Sequence, residues 1–235
     1  MREDLPTEYL LDLAERGLFI NELGHRRRPR ELVERMARVH RYPEAILTLG
    51  QILFEDPNTS AESFAAFIDE HADDAWLATH LAHQSGGDEA KRLVCERLFH
   101  AHPRASRYYA KHLALAADLD ALRRFLSHEG CDGPLETSLR DPAIRDPAVI
   151  DALLTLGSGR SGVGIESALE ASREALQAGS PDLTLAAAET LFATQKPLIL
   201  WALVDNPATP PKVREKLAKV RGVRGAKEMR RAATH

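Results

Sequence analysis

Asn206-Pro207-Ala208-Thr209-Pro210-Pro211-Lys212-Val213-Arg214-Glu215-Lys216-Leu217-Ala218 is the stretch on which the fold reading turns. It follows an apolar run at helical spacing, Leu198, Leu200, Trp201, Leu203 and Val204. Proline pushes the residue before it out of the α region, so Asn206-Pro207 ends that run. Thr209 is expected to cap a new helix through its hydroxyl, with Pro210 in the first helical position, where no N–H is needed. The segment therefore reads as a tight, pre-shaped corner between two helices.

Weaker copies of the corner recur at Asp56-Pro57-Asn58-Thr59-Ser60 and at Asp141-Pro142-Ala143-Ile144-Arg145-Asp146-Pro147. Thr59 matches Thr209. The middle copy has Ile144 there and needs a one-residue shift to align its apolar positions. Elsewhere apolar residues recur at spacings of three and four, and alternating β-branched runs are missing, so the chain is expected to be all-α. Short helices are predicted around Tyr9–Leu13, from Pro29 and from Pro43. Helical pairs follow at Asp74–Gln84 with Glu89–Ala101, Ala105–Ala117 with Leu119–Ser127, Ile165–Ala178 with Leu183–Phe192, and Pro197–Val204 with Pro210–Val220. Gly130–Pro134 reads as a break, Val149–Leu156 as a helix, Gly157–Gly164 as a mobile loop, and Ala226–Ala233 as a frayed basic extension. Roughly six hairpins over about 180 residues fall near the ~30–45-residue units of helical solenoids, whose apolar faces are buried only by stacking on neighbours. The expected organisation is an N-terminal helical cap over 1–42, a helical-repeat solenoid over 43–220 and a basic C-terminal tail over 221–235.

Asn206–Ala218 resembles the repeat of the leucine-rich repeat variant family in the HEAT-like superfamily, with its Asn-Pro-x-Thr-Pro-x-x-Val-x-x-x-Leu-Ala pattern. The resemblance implies a right-handed superhelix, a HEAT-like α-solenoid. Some members of that family carry an N-terminal cysteine cluster for an iron–sulfur centre. This chain has only Cys95 and Cys131, far apart and in no CxxC pairing, so that centre is not carried over and no cofactor is expected. Fold does not by itself imply function.

Charge is placed unevenly. The formal net charge of −4 argues against non-specific nucleic-acid binding by the whole chain. No Lys or Arg occurs from Tyr42 to Ala90, where Glu44, Glu55, Asp56, Glu62, Asp69, Glu70, Asp73, Asp74, Asp88 and Glu89 lie. From Pro207 onward Lys212, Arg214, Lys216, Lys219, Arg221, Arg224, Lys227, Arg230 and Arg231 face only Glu215 and Glu228. Of these, Lys212, Arg214, Lys219, Arg221, Arg224, Lys227, Arg230 and Arg231 form the candidate binding set. The run Arg26-Arg27-Arg28-Pro29-Arg30 is a second basic cluster, read as a solvated loop. An acidic early part and a basic end together suggest salt-sensitive self-association.

Two chemical readings compete with a binding scaffold. Trp201 and Asp205 are four apart, hence on one helix face. HEAT-like alkylpurine DNA glycosylases resemble this in using an aromatic ring and a carboxylate on a concave helical face, which would make Trp201 and Asp205 the catalytic pair. A π face can cradle a cation and a carboxylate can stabilise positive charge developing on a sugar. The bland alternative packs Trp201 in the core and lets Asp205 cap the corner. The second reading is a metal site on His80 and His83 beside His71, Asp73 and Asp74, among the crowded His71, His80, His83, His100, His102, His112 and His128. No His-Glu-x-x-His pattern supports it, and no metal is assigned. Trp76, Phe99, Tyr108 and Tyr109 read as packing residues, with one of the two tyrosines facing solvent. Gly157–Gly164 lacks the Gly-Lys-Ser/Thr ending of a phosphate loop, and no nucleophile stands out. The N-terminus is unlike a signal peptide and no apolar run approaches the ~18 residues of a membrane span. The expectation is a cytoplasmic, non-catalytic scaffold with a protein partner and without a membrane, the alternative being a DNA glycosylase or DNA-binding protein.

Overall fold

A computed structural model describes residues 43–84 and 87–234, together with Asp12 and Glu34. The expected helices before Pro43, the 1–42 cap and the Arg26–Arg30 cluster lie outside that range apart from these two positions. The described residues form helices and no strand. They divide into two compact units, Met1–Tyr109 and Ala110–His235.

In the first unit, α1 (Pro43–Glu55), α2 (Ala61–Glu70), α3 (Ala75–Leu81) and α4 (Glu89–Ala101) precede α5 (Pro103–Leu115), within whose residues the boundary along the chain falls. Short polar side chains start the helices as their chemistry dictates. Ser60, Asp74 and Asp88 accept hydrogen bonds from first-turn amides of α2, α3 and α4. Helix α1 packs on α3 and α2 on α4, so each element buries its apolar stripe against its second neighbour. Phe54, Phe64, Leu77, Leu81 and Phe99 fill the space between them.

Lys91 lies in this core and is only 1 % exposed. Its ammonium donates to Leu53 O at 3.0 Å, Phe54 O at 3.4 Å and Asp56 O at 2.6 Å. Pro57 has no N–H to bond the carbonyl four residues back, which is Leu53 O. Lys91 supplies the missing donor at the negative end of α1.

The second unit continues with α6 (Leu119–Leu126), α7 (Asp132–Leu139), α8 (Pro147–Gly157), α9 (Val163–Ala178), α10 (Leu185–Ala193), α11 (Pro197–Asp205), α12 (Pro211–Leu217) and α13 (Ala226–Ala233). Second-neighbour packing recurs, with α6 on α8, α7 on α9, α9 on α11, α10 on α12 and α11 on α13. Asp118, Asp146 and Thr184 cap α6, α8 and α10. Helix α13 is anchored, because Met229 is fully buried against Leu203, Leu217 and their neighbours. Burying such a side chain contributes roughly 2 kcal/mol.

Three sequence expectations change. Pro134 does not break the chain. It sits in the first turn of α7, where the missing N–H costs nothing. The glycine-rich loop is shorter than expected, since α8 runs to Gly157 and α9 starts at Val163. A Cβ on Gly157 would lie 2.6 Å from Leu169 Cδ2, so that glycine permits close helix packing. Arg160 also pins the loop, pairing with Asp132 at 2.7 Å and with the carbonyl of Leu126. The third change concerns Trp76, which is 75 % exposed rather than packed. Phe99 and Tyr109 are buried as expected, and Tyr108 is half-buried against His83.

The three proline corners share one local geometry. Asp56, Asp141 and Asn206 each accept, through Oδ1, the amide two residues on, at 2.9, 2.9 and 2.8 Å. In each corner the amide three residues on closes onto the carbonyl of that Asp or Asn, at 3.1 Å. Thr59, Ile144 and Thr209 thus hold equivalent, buried positions. The middle copy has one more residue before its helix, which begins at Pro147 behind the cap Asp146. That residue is the source of the one-residue shift in the alignment.

Candidate functional site

The C-terminal corner is held by its own polar groups. Asn206 Nδ2 donates to Ala178 O and Ser180 O, both at 2.8 Å, stitching the corner to the end of α9. The hydroxyl of Thr209 does not cap α12. It donates backwards to Leu203 O at 2.6 Å. Pro207 cannot supply an N–H to Leu203 O, and Thr209 replaces it. Consequently Pro210 stands at the N-cap and Pro211 takes the first helical turn. Arg214 closes the arrangement by donating to Thr209 O at 3.2 Å and Asn206 O at 2.8 Å. The residues that carry the repeat resemblance are therefore consumed in building the turn.

Trp201 and Asp205 do share a face of α11, and a cation sits across both. The guanidinium carbon of Arg145 lies 3.8 Å from the Trp201 ring centre, and Arg145 Nη1 donates to Asp205 Oδ2 at 3.1 Å. Arg145 Nε donates to Pro142 O at 3.2 Å, fixing the side chain to the middle corner. Trp201 is half-buried and packs against the core of Leu200, Leu203 and Met229. Its indole edge faces Gly225, where an added Cβ would stand 3.3 Å from Nε1. Gly225 has φ +80° and starts α13, so the left-handed turn and the close approach both favour glycine. Asp205 pairs with Arg145 and does not cap the corner.

The basic candidates separate into two groups. Lys212 and Lys216 each reach Glu189 Oε1 at 3.0 Å, and the two lysines hold the Glu189 carboxyl below its ordinary value. Arg214 belongs to the corner, and Arg230 donates to Val220 O at 3.0 Å. Lys219, Arg221, Arg224, Lys227 and Arg231 are exposed and form no ion pair among the described residues.

The histidines are used one at a time. In the first unit His80 Nε2 lies 3.4 Å from Gln51 Oε1, His102 Nε2 lies 2.8 Å from Ala72 O, and His71 packs against Phe67. In the second, His128 Nδ1 lies 2.6 Å from Glu129 O. Among the described residues no group of three or more His, Cys, Asp or Glu is gathered as a metal site. Cys95 and Cys131 are both buried and are not joined in a disulfide, and burial pushes the Cys95 thiol far up, with Glu96 adding to the effect.

Sequence reasoning missed Lys91, Arg145 and the exposure of Trp76. The first two depend on long-range contacts. A local signal existed for Trp76, whose neighbours one turn along the helix, Thr79 and His80, are both polar. Comparison with protein-family models, curated proteins and solved structures finds no match. No described helix is long and apolar enough to cross a membrane.

Proposed function

We propose that this chain is a non-catalytic helical-repeat scaffold that binds another protein, built as a right-handed, HEAT-like α-solenoid. Second-neighbour packing within each unit and the shared corner geometry support the repeat reading. The observation that carries the function is the contrast at the C-terminal end. The side chains of Asn206, Thr209 and Arg214 are engaged within the corner, while Lys219, Arg221, Arg224, Lys227 and Arg231 stand exposed on a helix and loop anchored by Met229. Exposed arginines on a firm backbone suit recognition of acidic groups. Two buried cysteines that form no disulfide with each other fit a reducing cytoplasm.

Capture with the full-length chain tests the reading. A protein that co-purifies with the parent and is lost from an Arg221→Glu/Arg224→Glu/Lys227→Glu variant supports it. Identical captures from both would remove the basic end as the binding surface.

The alternative is an alkylpurine DNA glycosylase or DNA-binding protein, favoured by one feature: the Trp201 face takes a cation. Against it, Arg145 holds both the ring and the Asp205 carboxylate. Release of alkylated bases from duplex DNA by the parent, abolished by Asp205→Asn, would establish the glycosylase. The expected result is no release.

A further inference from the structure

Trp76 is the most exposed large apolar side chain among the described residues. It stands at the head of α3, directly after the turn that follows α2, and hydrogen bonds hold the turn. Asp74 accepts the amides of Trp76 at 2.8 Å and Leu77 at 3.0 Å. The Asp74 amide closes on His71 O, and the His102 ring lies 2.8 Å from Ala72 O. The indole is thus presented on a fixed backbone, the arrangement that favours an anchor residue at an interface.

The stretch leading to Trp76 is acidic. Asp69, Glu70 and Asp73 are exposed within seven residues of it. Glu70 and Asp73 form no ion pair among the described residues, and Asp69 meets Arg97 only at 4.0 Å. An exposed indole that follows the exposed Glu70 and Asp73 in the chain fits a segment rich in Arg and Lys, whose cations can stack on the ring and pair with the carboxylates. This chain carries such a segment. Arg221 and Arg224 lie on the loop before α13, and Lys227 and Arg231, four apart, share one face of that helix.

We infer that the Asp69–Trp76 surface of one copy receives the Arg221–Arg231 end of a second copy, so that the protein associates head to tail. The inference rests on the scaffold reading and names a second copy as its partner. The two patches differ, so the contact is heterologous: each copy keeps a free surface of either kind, and growth is limited by concentration. The attraction is between exposed charges, so salt weakens it.

Sedimentation velocity of the full chain tests this with charge-reversal variants, one carrying Glu70→Lys and Asp73→Lys, the other Arg224→Glu, Lys227→Glu and Arg231→Glu. The parent is expected to form concentration-dependent larger species at about 50 mM salt, with a dissociation constant roughly tenfold higher at about 500 mM. Each variant alone is expected to be a monomer at low salt, and an equimolar mixture to associate again, because the unchanged basic end of one meets the unchanged acidic patch of the other. Trp76→Ala is expected to weaken parental association about tenfold. Circular dichroism matching the parent identifies folded variants. A parent that is monomeric at every salt and concentration overturns the inference and leaves a foreign partner from the capture experiment standing. Association that survives in either folded variant, or a mixture that stays monomeric, overturns it too, because another surface would then carry the contact.

Discussion

The central carbon of the Arg145 guanidinium lies 3.8 Å from the Trp201 ring centre, and the same guanidinium reaches Asp205. A cation, a π face and a carboxylate are thus joined inside one unit. The arrangement links the middle proline corner to α11. It turns a pair that resembles a cation-binding site into an internal clasp. Arg145→Ala is expected to cost about 1–2 kcal/mol, a figure discounted because both charged groups are partly exposed. Arg145→Lys should keep part of the ion pair and lose the guanidinium's contact with the ring. Urea unfolding measures both losses. In a Trp76→Phe background the remaining tryptophan, Trp201, reports directly, and Arg145→Ala should shift its emission to the red as the ring gains water. Unchanged emission would show that the clasp does not persist in solution.

Thr209 and Pro207 form a compensating pair. The proline removes a donor from Leu203 O, and the threonine hydroxyl returns one at 2.6 Å. Thr209→Val keeps the shape and leaves a buried carbonyl unsatisfied, which should cost about 1–2 kcal/mol. Thr209→Ser retains the hydroxyl and should recover most of the loss. If Thr209 acted instead as the N-cap of α12, the damage from Thr209→Val would fall on helix α12. Amide hydrogen exchange separates the two cases: the loss of protection is expected at the end of α11.

These residues also mark how far the sequence could be read. Helix starts were legible because Asp, Ser and Thr caps and N-terminal prolines act within one turn, as at Ser60, Asp88, Asp118 and Pro197. The repeated corner was legible for the same reason, since Asp56, Asp141 and Asn206 bond only two residues ahead. The direction of the Thr209 bond was not. Thr-Pro reads as an N-cap until one asks which carbonyl Pro207 has left without a donor. Arg145 and Asp205 are 60 positions apart, and Lys91 and Leu53 are 38 apart. No local periodicity specifies such partners. The Trp201–Asp205 face was visible from its four-residue spacing, but its occupant came from another hairpin.

Glu189 ties α10 to α12 through Lys212 and Lys216, and both lysines lower its pKa from the ordinary 4.5. A carboxylate with a lowered folded pKa contributes stability above its unfolded pKa, and that contribution is lost as pH falls through the folded value. Glu189→Gln should therefore lower Tm near neutral pH. The parent and variant curves should then converge as the pH drops below the usual carboxylate range. Added salt should narrow the neutral-pH gap, because the three groups are near solvent. Tm measured from about pH 7 to about pH 3 checks the sign, and a gap that stays constant across that range would show that ionisation of Glu189 contributes nothing.

Lys91 offers the sharpest stability test, because its position reverses the usual rule for lysine. A fully buried ammonium survives in an apolar core only if its hydrogen-bonding needs are met. Here Leu53, Phe54 and Asp56 meet them with backbone carbonyls at the end of α1. Lys91→Met matches the length and shape of the side chain but removes every donor, leaving the Leu53 carbonyl facing Pro57 with no partner. The expected loss is about 3 kcal/mol, set by hydrogen bonds to a charged donor and by the desolvated acceptors left behind. Lys111 supplies the contrast: it is 40 % exposed and pairs with Asp141 at 2.6 Å. Lys111→Met should cost less than about 1 kcal/mol, as surface ion pairs do. Urea unfolding of the two variants side by side decides the matter. If Lys91→Met proved as mild as Lys111→Met, the end of α1 would have to find another donor, and the ammonium would not be what closes the Pro57 corner.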